Sequence, residues 1–242
     1  DTWVCRLKQS NNVRPVFLVG DTVSQPILNG DVLHLNCRDD YMALAYKTKA
    51  FCQWALTQEF DYLFKCDDDT FIATERFLEY TPIGDYIGVD PCDHINPKFA
   101  SGGAGYWLSR KAAQVVANMP IDGICNAYKV KSCSEDIVVY HALNHADIKF
   151  TQDKRFQAWN QPHRHPHAGN EIITCHYIKP DEMCRMDSKM QDIKTGCQYG
   201  YMDRGNHRRF NRIYRDQLQV EWMGGWGKNN GPILLQESIS VI

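Results

Sequence analysis

The run Tyr62-Leu63-Phe64-Lys65-Cys66-Asp67-Asp68-Asp69-Thr70-Phe71-Ile72 sets three carboxylates directly behind an apolar segment. The apolar half reads as a buried strand of the parallel-sheet type, in which both faces are covered. Adjacent carboxylates repel, and burying one unpaired costs on the order of several kcal/mol. Either helix-end hydrogen bonds or a cation must offset that cost. In α/β sheets ligands bind beyond the carboxyl ends of the strands. Side chains alternate along an extended chain, so Asp67 and Asp69 point the same way. An Asp-x-Asp pair of this kind can share a divalent cation with phosphate or ribose oxygens, and Mg²⁺ or Mn²⁺ suits such donors. The plainer alternative is that Asp69 caps the following helix. A cap accounts for one aspartate of the three.

Outward from this strand, helical and extended patterns alternate. Residues 14–20, Arg-Pro-Val-Phe-Leu-Val-Gly, read as a short buried strand, and 30–36 as an alternating one. Residues 39–58 are the clearest helix, with Tyr41, Leu44, Ala45, Thr48, Cys52 and Ala55 on one stripe and Asp39 or Asp40 as its cap. A short helix over 75–80 stops before Pro82. Residues 85–90 read as a strand, 109–118 as a helix capped by Ser109 and ended by Pro120, and 134–146 as a helix capped by Ser134. Late strands are expected at 148–152 and 171–178. The alternation implies an α/β fold with a mixed, mostly parallel central sheet flanked by helices. After Pro180 the pattern weakens. The chain is read as one domain over 1–242, with residues 186–242 an irregular extension covering the core.

Three further segments carry candidate chemistry. In Ser101-Gly102-Gly103-Ala104-Gly105 the glycines allow close backbone approach to a ligand, and the loop precedes an expected helix start that would favour anions. Alone, such a loop is equally a turn. Glu135 and Asp136 fall in the first turn of a helix, where the dipole stabilises negative charge. A carboxylate there can also take a proton from an attacking hydroxyl. His176 follows a β-branched run and is expected at a strand end. Beside carboxylates it is a ligand that shifts preference from Mg²⁺ toward Mn²⁺. His163, His165 and His167 surround a proline and read as a polar loop, with zinc binding the alternative.

Composition narrows the class. The chain has 242 residues, is 43% hydrophobic and carries a formal net charge of -2, so no basic field calls for nucleic acid. No run of about eighteen apolar residues is present, and no membrane span is expected. The 10 cysteines lack zinc spacing. Cys52 and Cys66 read as buried thiols. Cys125 with Cys133, or a pairing among Cys175, Cys184 and Cys197, fits an oxidising compartment.

Taken in order, these segments resemble glycosyltransferase family 31, which includes β-1,3-galactosyltransferases, β-1,3-N-acetylglucosaminyltransferases and Fringe proteins. Asp1-Thr2-Trp3 is similar to the end of the family's R-x-T-W helix. Residues 39–48 are similar to its D-x-Y-x-N-L-x-x-K-T helix, although Ala43 stands where that pattern has Asn. Residues 65–72 resemble its D-D-D motif, 101–109 its glycine loop, 135–139 its E-D-V motif and 176–183 its late histidine segment. The resemblance covers residues 1 to about 185. It implies a GT-A fold, a UDP-sugar or other nucleotide-diphosphate sugar donor, a glycan acceptor, Mn²⁺ (or Mg²⁺) and inversion at the anomeric carbon. By motif, Asp69 and His176 would hold the metal, with Asp67 beside them. Asp67, Asp68 and the loop Gly102, Gly103, Ala104 and Gly105 would face the donor. Asp136 would be the general base, supported by Glu135. Trp107, Trp222 and Trp226 are candidate acceptor contacts, since aromatic faces suit sugar C–H groups.

In two places the chain departs from the family. The family has a central strand ahead of the T-W, whereas this sequence opens at it. The record is either truncated there or another segment fills the slot, and the strand-like residues 232–242 are the candidate. Residues beyond about 185 match nothing in the pattern. The resemblance implies a Golgi lumen location if an N-terminal anchor has been removed, and a cytoplasmic one otherwise. The competing functional classes are a non-catalytic carbohydrate- or nucleotide-binding module of the same fold and a metal-dependent phosphohydrolase.

Overall fold

A computed structural model describes residues 3–91, 98–159, 171–186 and 238–241. The helices are α1 (Trp3–Leu7), α2 (Leu44–Ala55), α3 (Thr74–Glu79), α4 (Arg110–Ala117), α5 (Ile121–Tyr128) and α6 (Glu135–His145). The strands are β1 (Pro15–Asp21), β2 (Ile27–Asn29), β3 (Val32–Asn36), β4 (Tyr62–Asp67), β5 (Phe71–Ile72), β6 (Tyr86–Gly88), β7 (Tyr106–Ser109), β8 (Phe150–Gln152), β9 (Phe156–Gln157), β10 (Thr174–Cys175) and β11 (Ser238–Val241).

Eight strands form one sheet in the order β2-β3-β1-β11-β4-β7-β6-β8, and β5-β10-β9 form a small second sheet. The large sheet is mixed, as expected, but less parallel than the reading implied. β1, β3, β4, β6 and β8 share one direction, yet only β1–β3 and β6–β8 are parallel neighbours. The central strand β4 is flanked on both sides by antiparallel partners, β11 and β7. Its continuous apolar character comes from burial on both faces, which a mixed sheet provides equally well. On one face Leu63, Tyr106 and Leu108 join the core under α2, α4 and α6. On the other, Phe64 packs on Trp107, Phe77 and Phe156 with ring centroids at 4.9, 5.0 and 5.9 Å.

β11 occupies the slot between β1 and β4. Ser238 lies opposite both Leu18 and Asp67, and Val241 opposite Pro15 and Phe64. The expected insertion of the 232–242 run is thus met by Ser238–Val241, the part of it that is described.

Local signals held in most helices. The Ser109 hydroxyl accepts from Ala112 N–H at 3.2 Å and caps α4. Asp40 caps the single 3-10 turn that precedes α2, accepting from Ala43 N–H at 3.0 Å, while Asp39 pairs with buried Lys47 instead. Tyr41, placed on the buried stripe by periodicity, is exposed because it belongs to that tighter turn. Ser134 precedes α6 but makes no side-chain cap bond. Cys125 and Cys133 form a disulfide just ahead of α6. Cys52 and Cys66 are buried thiols, and burial raises the pKa of both. Cys175 is a buried thiol beside Gln157 and takes no part in the alternative pairing. No helix among the described residues is long and apolar enough to cross a membrane.

Candidate active site

The four motifs converge at the carboxyl end of β4. The Gly103 carbonyl accepts from Asp67 N–H at 3.2 Å and from the Thr70 hydroxyl at 2.7 Å, which ties the glycine loop to the acidic turn. The Ala104 carbonyl accepts from the Thr174 hydroxyl at 2.6 Å, and the Asp69 carbonyl from Ile178 N–H at 2.9 Å. These bonds bring in the segment that carries His176, which directly follows β10 as the sequence implied. The loop leads into β7, and the expected helix start follows only at Arg110, beyond that strand, so the loop itself does not open a helix. Its glycines serve close packing instead. A Cβ at Gly103 would lie 1.9 Å from the His176 ring, and one at Gly102 would lie 2.6 Å from Glu135 Oε2. Gly105 adopts φ +92, a backbone state that L side chains rarely enter. Gly103→Ala is therefore expected to displace His176, weakening divalent-cation binding at least about tenfold and lowering the melting temperature. Cation titration beside a thermal melt checks both effects.

Asp67, Asp69 and His176 form the cluster. One ligand atom from each lies within 4.8 Å of the others. His176 Nε2 is 3.0 Å from Asp69 Oδ1 and 3.7 Å from Asp67 Oδ2. His176 is only 4% exposed. Both its ring nitrogens and Asp69 Oδ1 are buried without a hydrogen-bond partner. Each such group costs about 1–3 kcal/mol. A shared cation would satisfy Asp69 Oδ1 and His176 Nε2 at once, and two carboxylates with one imidazole are a fitting donor set. The cap alternative fails for Asp69, because α3 begins at Thr74 with Ala73 as its N-cap. Asp68 is half-buried in the turn and is not one of the three cluster residues.

On the other side of the glycine loop stand Glu135 and Asp136, adjacent in sequence but in different settings. Glu135 is buried and occupied. Its Oε1 accepts from the Thr48 hydroxyl at 3.0 Å and from the Tyr106 hydroxyl, and its Oε2 lies 3.5 Å from Lys65 Nζ. Asp136 keeps some exposure. Burial, then the Glu135 charge, push its pKa up to about 6, against the opposing influence of the Ile137 and Gly102 N–H groups and Lys65. A carboxylate tuned toward neutrality is suited to general-base work.

Two aromatic residues that the motif reading passed over complete the site. Tyr177 is held at φ 59 and is 49% exposed. Its ring stacks on His176 at 3.8 Å and on Trp159 at 5.4 Å. The Trp159 indole N–H donates to the Pro91 carbonyl at 2.8 Å, which fixes the outer ring. Burial raises the Tyr177 pKa, and the charges of Asp69 and Asp67 raise it further. An aromatic residue directly after the histidine was the available signal, but it is a weak one. Trp107 is placed elsewhere. It is 8% exposed, packed among Tyr62, Phe64, Phe77 and Tyr80 on the sheet face opposite Tyr106. That setting corrects its candidacy as an acceptor contact, since both stacking faces are taken. Trp222, Trp226 and the histidines at 163, 165 and 167 lie outside the described residues.

Comparison with known proteins bears on the same segment. A family model described as galactosyltransferase matches residues 1–85, which include the acidic turn. A glycoprotein-N-acetylgalactosamine 3-beta-galactosyltransferase 1 from Xenopus laevis is 25% identical over 181 residues, covering 59% of this chain and 49% of the relative. These findings support assignment to glycosyltransferase family 31. The chain spans about half the length of that curated relative. Within the family 31 assignment, the glycine loop, Asp136 and His176 lie beyond the segment matched by the family model, and they join the acidic turn through the geometry described above.

Proposed function

We propose that the protein is a metal-dependent, inverting glycosyltransferase that moves a sugar from a UDP-sugar to a hydroxyl of a glycan acceptor, forming a β-linkage. The observation that carries this reading is the juxtaposition of a three-ligand cation cluster with one carboxylate tuned to about 6. Asp67, Asp69 and His176 would hold Mn²⁺, with Mg²⁺ the alternative. When bound, the cation neutralises charge on the diphosphate leaving group. Asp68, half-buried in the acidic turn, is assigned to the donor, while the buried glycine loop holds His176 and Glu135 in place.

Asp136 takes the proton of the acceptor hydroxyl as that oxygen bonds to the anomeric carbon. The bond from that carbon to the diphosphate breaks on the opposite face, and UDP departs with the electron pair. Glu135 keeps its donors throughout and fixes the start of α6. Its role is to hold Asp136 in place, not to transfer protons. Trp159, the exposed outer ring of the stack on Tyr177, offers an apolar face for the acceptor sugar.

The relative's name makes UDP-galactose and an N-acetylgalactosamine-bearing peptide the first substrates to test. With Mn²⁺, transfer of galactose in β-linkage is expected. Trp159→Ala is expected to raise the acceptor KM by up to about tenfold, a typical loss for one stacking contact, with cation affinity unchanged. UDP binding without transfer to any acceptor would favour the binding-module reading. Phosphate release without acceptor would favour a phosphohydrolase.

A further inference from the structure

Lys65 is the residue that this reading leaves unexplained. It is 3% exposed, on the central strand, two residues before the first cluster ligand. An ammonium group has three N–H donors, and three acceptors surround this one. They are Asp67 Oδ1 at 2.9 Å, the Gly102 carbonyl at 3.2 Å and Glu135 Oε2 at 3.5 Å. The acceptors come from β4, the glycine loop and α6, three of the four segments that build the site. With Oδ1 of Asp67 engaged by Lys65, Oδ2 is the oxygen turned toward His176 Nε2. With Glu135 engaged as well, the first turn of α6, and so Asp136, is fixed relative to the cation cluster.

We infer that Lys65 is a positioning residue, an internal cation that presents Asp67 to the bound metal through one oxygen and locks the base-bearing helix to the same frame. The inference rests on the proposed function, since it assumes that Asp67, Asp69 and His176 receive a metal. The ammonium sits between two buried carboxylates that converge on it from different elements, and the Mn²⁺ readout below separates positioning from simple charge compensation. Arginine is not an equivalent, because its planar fork cannot meet three acceptors arranged around one nitrogen.

The test uses the full chain and Mn²⁺ alone as the probe, with free Mn²⁺ followed by electron paramagnetic resonance. Lys65→Met is expected to weaken Mn²⁺ binding about 10–100-fold, the usual cost of losing a partner that orients a ligand. At saturating Mn²⁺ its kcat should fall while the acceptor KM stays near the wild-type value. Lys65→Arg keeps the charge and guards against a variant that fails to fold, and it too is expected to bind Mn²⁺ at least about tenfold more weakly. Wild-type Mn²⁺ affinity in either folded variant would overturn the inference. Failure of the wild-type chain itself to bind Mn²⁺ would instead overturn the cation reading on which it rests.

Discussion

Asp136→Asn is expected to lower transfer by about 10²–10⁴-fold while raising the melting temperature of the metal-free protein. The two effects share a cause. Burial and the neighbouring Glu135 charge lift the folded-state pKa of Asp136 from the ordinary aspartate value of 3.8 to about 6. The folded state therefore binds more protons than the unfolded state between those values. The stabilising contribution of protonated Asp136 is present at low pH and is lost as pH rises from about 3.8 toward about 6. Above that window the ionised carboxylate is a fixed cost of at most about 3 kcal/mol. Asparagine removes the charge but keeps an oxygen for the Ile137 N–H. A rise of about 2–6 °C near neutral pH is expected for a chain of this size, and the pH dependence of stability in the window should flatten. The wild-type pH–rate profile should have an acidic limb near the same pKa, because the base must be ionised to accept the acceptor's proton. Thermal melts from pH 4 to 8 and pH–rate profiles of both proteins check the prediction. Full activity in the variant would remove Asp136 as the base.

Asp69→Asn should separate the cation from the fold. Asp69 Oδ1 and His176 Nε2 are 3.0 Å apart and buried, yet neither makes a hydrogen bond. An amide in the same place can donate to the ring nitrogen, so the metal-free variant should melt no lower than the wild type. It offers no anionic oxygen to a cation, and Mn²⁺ binding should be lost. Charge stabilisation by a metal at a leaving group is worth several kcal/mol, so transfer should fall by about two to three orders of magnitude. The wild type should gain about 2.7 kcal/mol of stability at Mn²⁺ one hundred times its Kd, and a chelator should remove that gain. The variant should melt at the same temperature with and without Mn²⁺. A variant that still gains stability from Mn²⁺ would move the cation site elsewhere.

The residues proposed to carry this chemistry were legible because each stands at a point where the chain changes state. Asp67 ends β4, Glu135 opens α6 and His176 follows β10, and such positions leave marks in hydrophobic pattern. What the sequence could not convey was how the strands pair. Burial on both faces gives β4 an apolar run whatever the direction of its neighbours, so the antiparallel partners β7 and β11 were hidden. The short strand β7 was folded into the reading of the glycine loop, which set the loop directly against a helix start that lies beyond that strand. The helix α5 has Gly123 in its interior and offered no clear period. The different duties of Glu135 and Asp136 were also hidden. Adjacent carboxylates in a first helical turn look alike until Thr48, Tyr106 and Lys65 are seen to converge on one of them. Tyr177 and Trp159 escaped for the opposite reason. Exposed aromatics scattered in loops have no period, and only the fold brings their rings into one stack with His176.

The central claim is that the acidic turn and His176 form a cation-dependent donor site. Isothermal titration of UDP into the wild-type chain, with saturating Mn²⁺ and again with a chelator, tests it most directly. The account predicts binding in Mn²⁺ that weakens at least about tenfold in the chelator, consistent with a diphosphate held through the metal. UDP binding of equal strength in both conditions, or none in either, would contradict it.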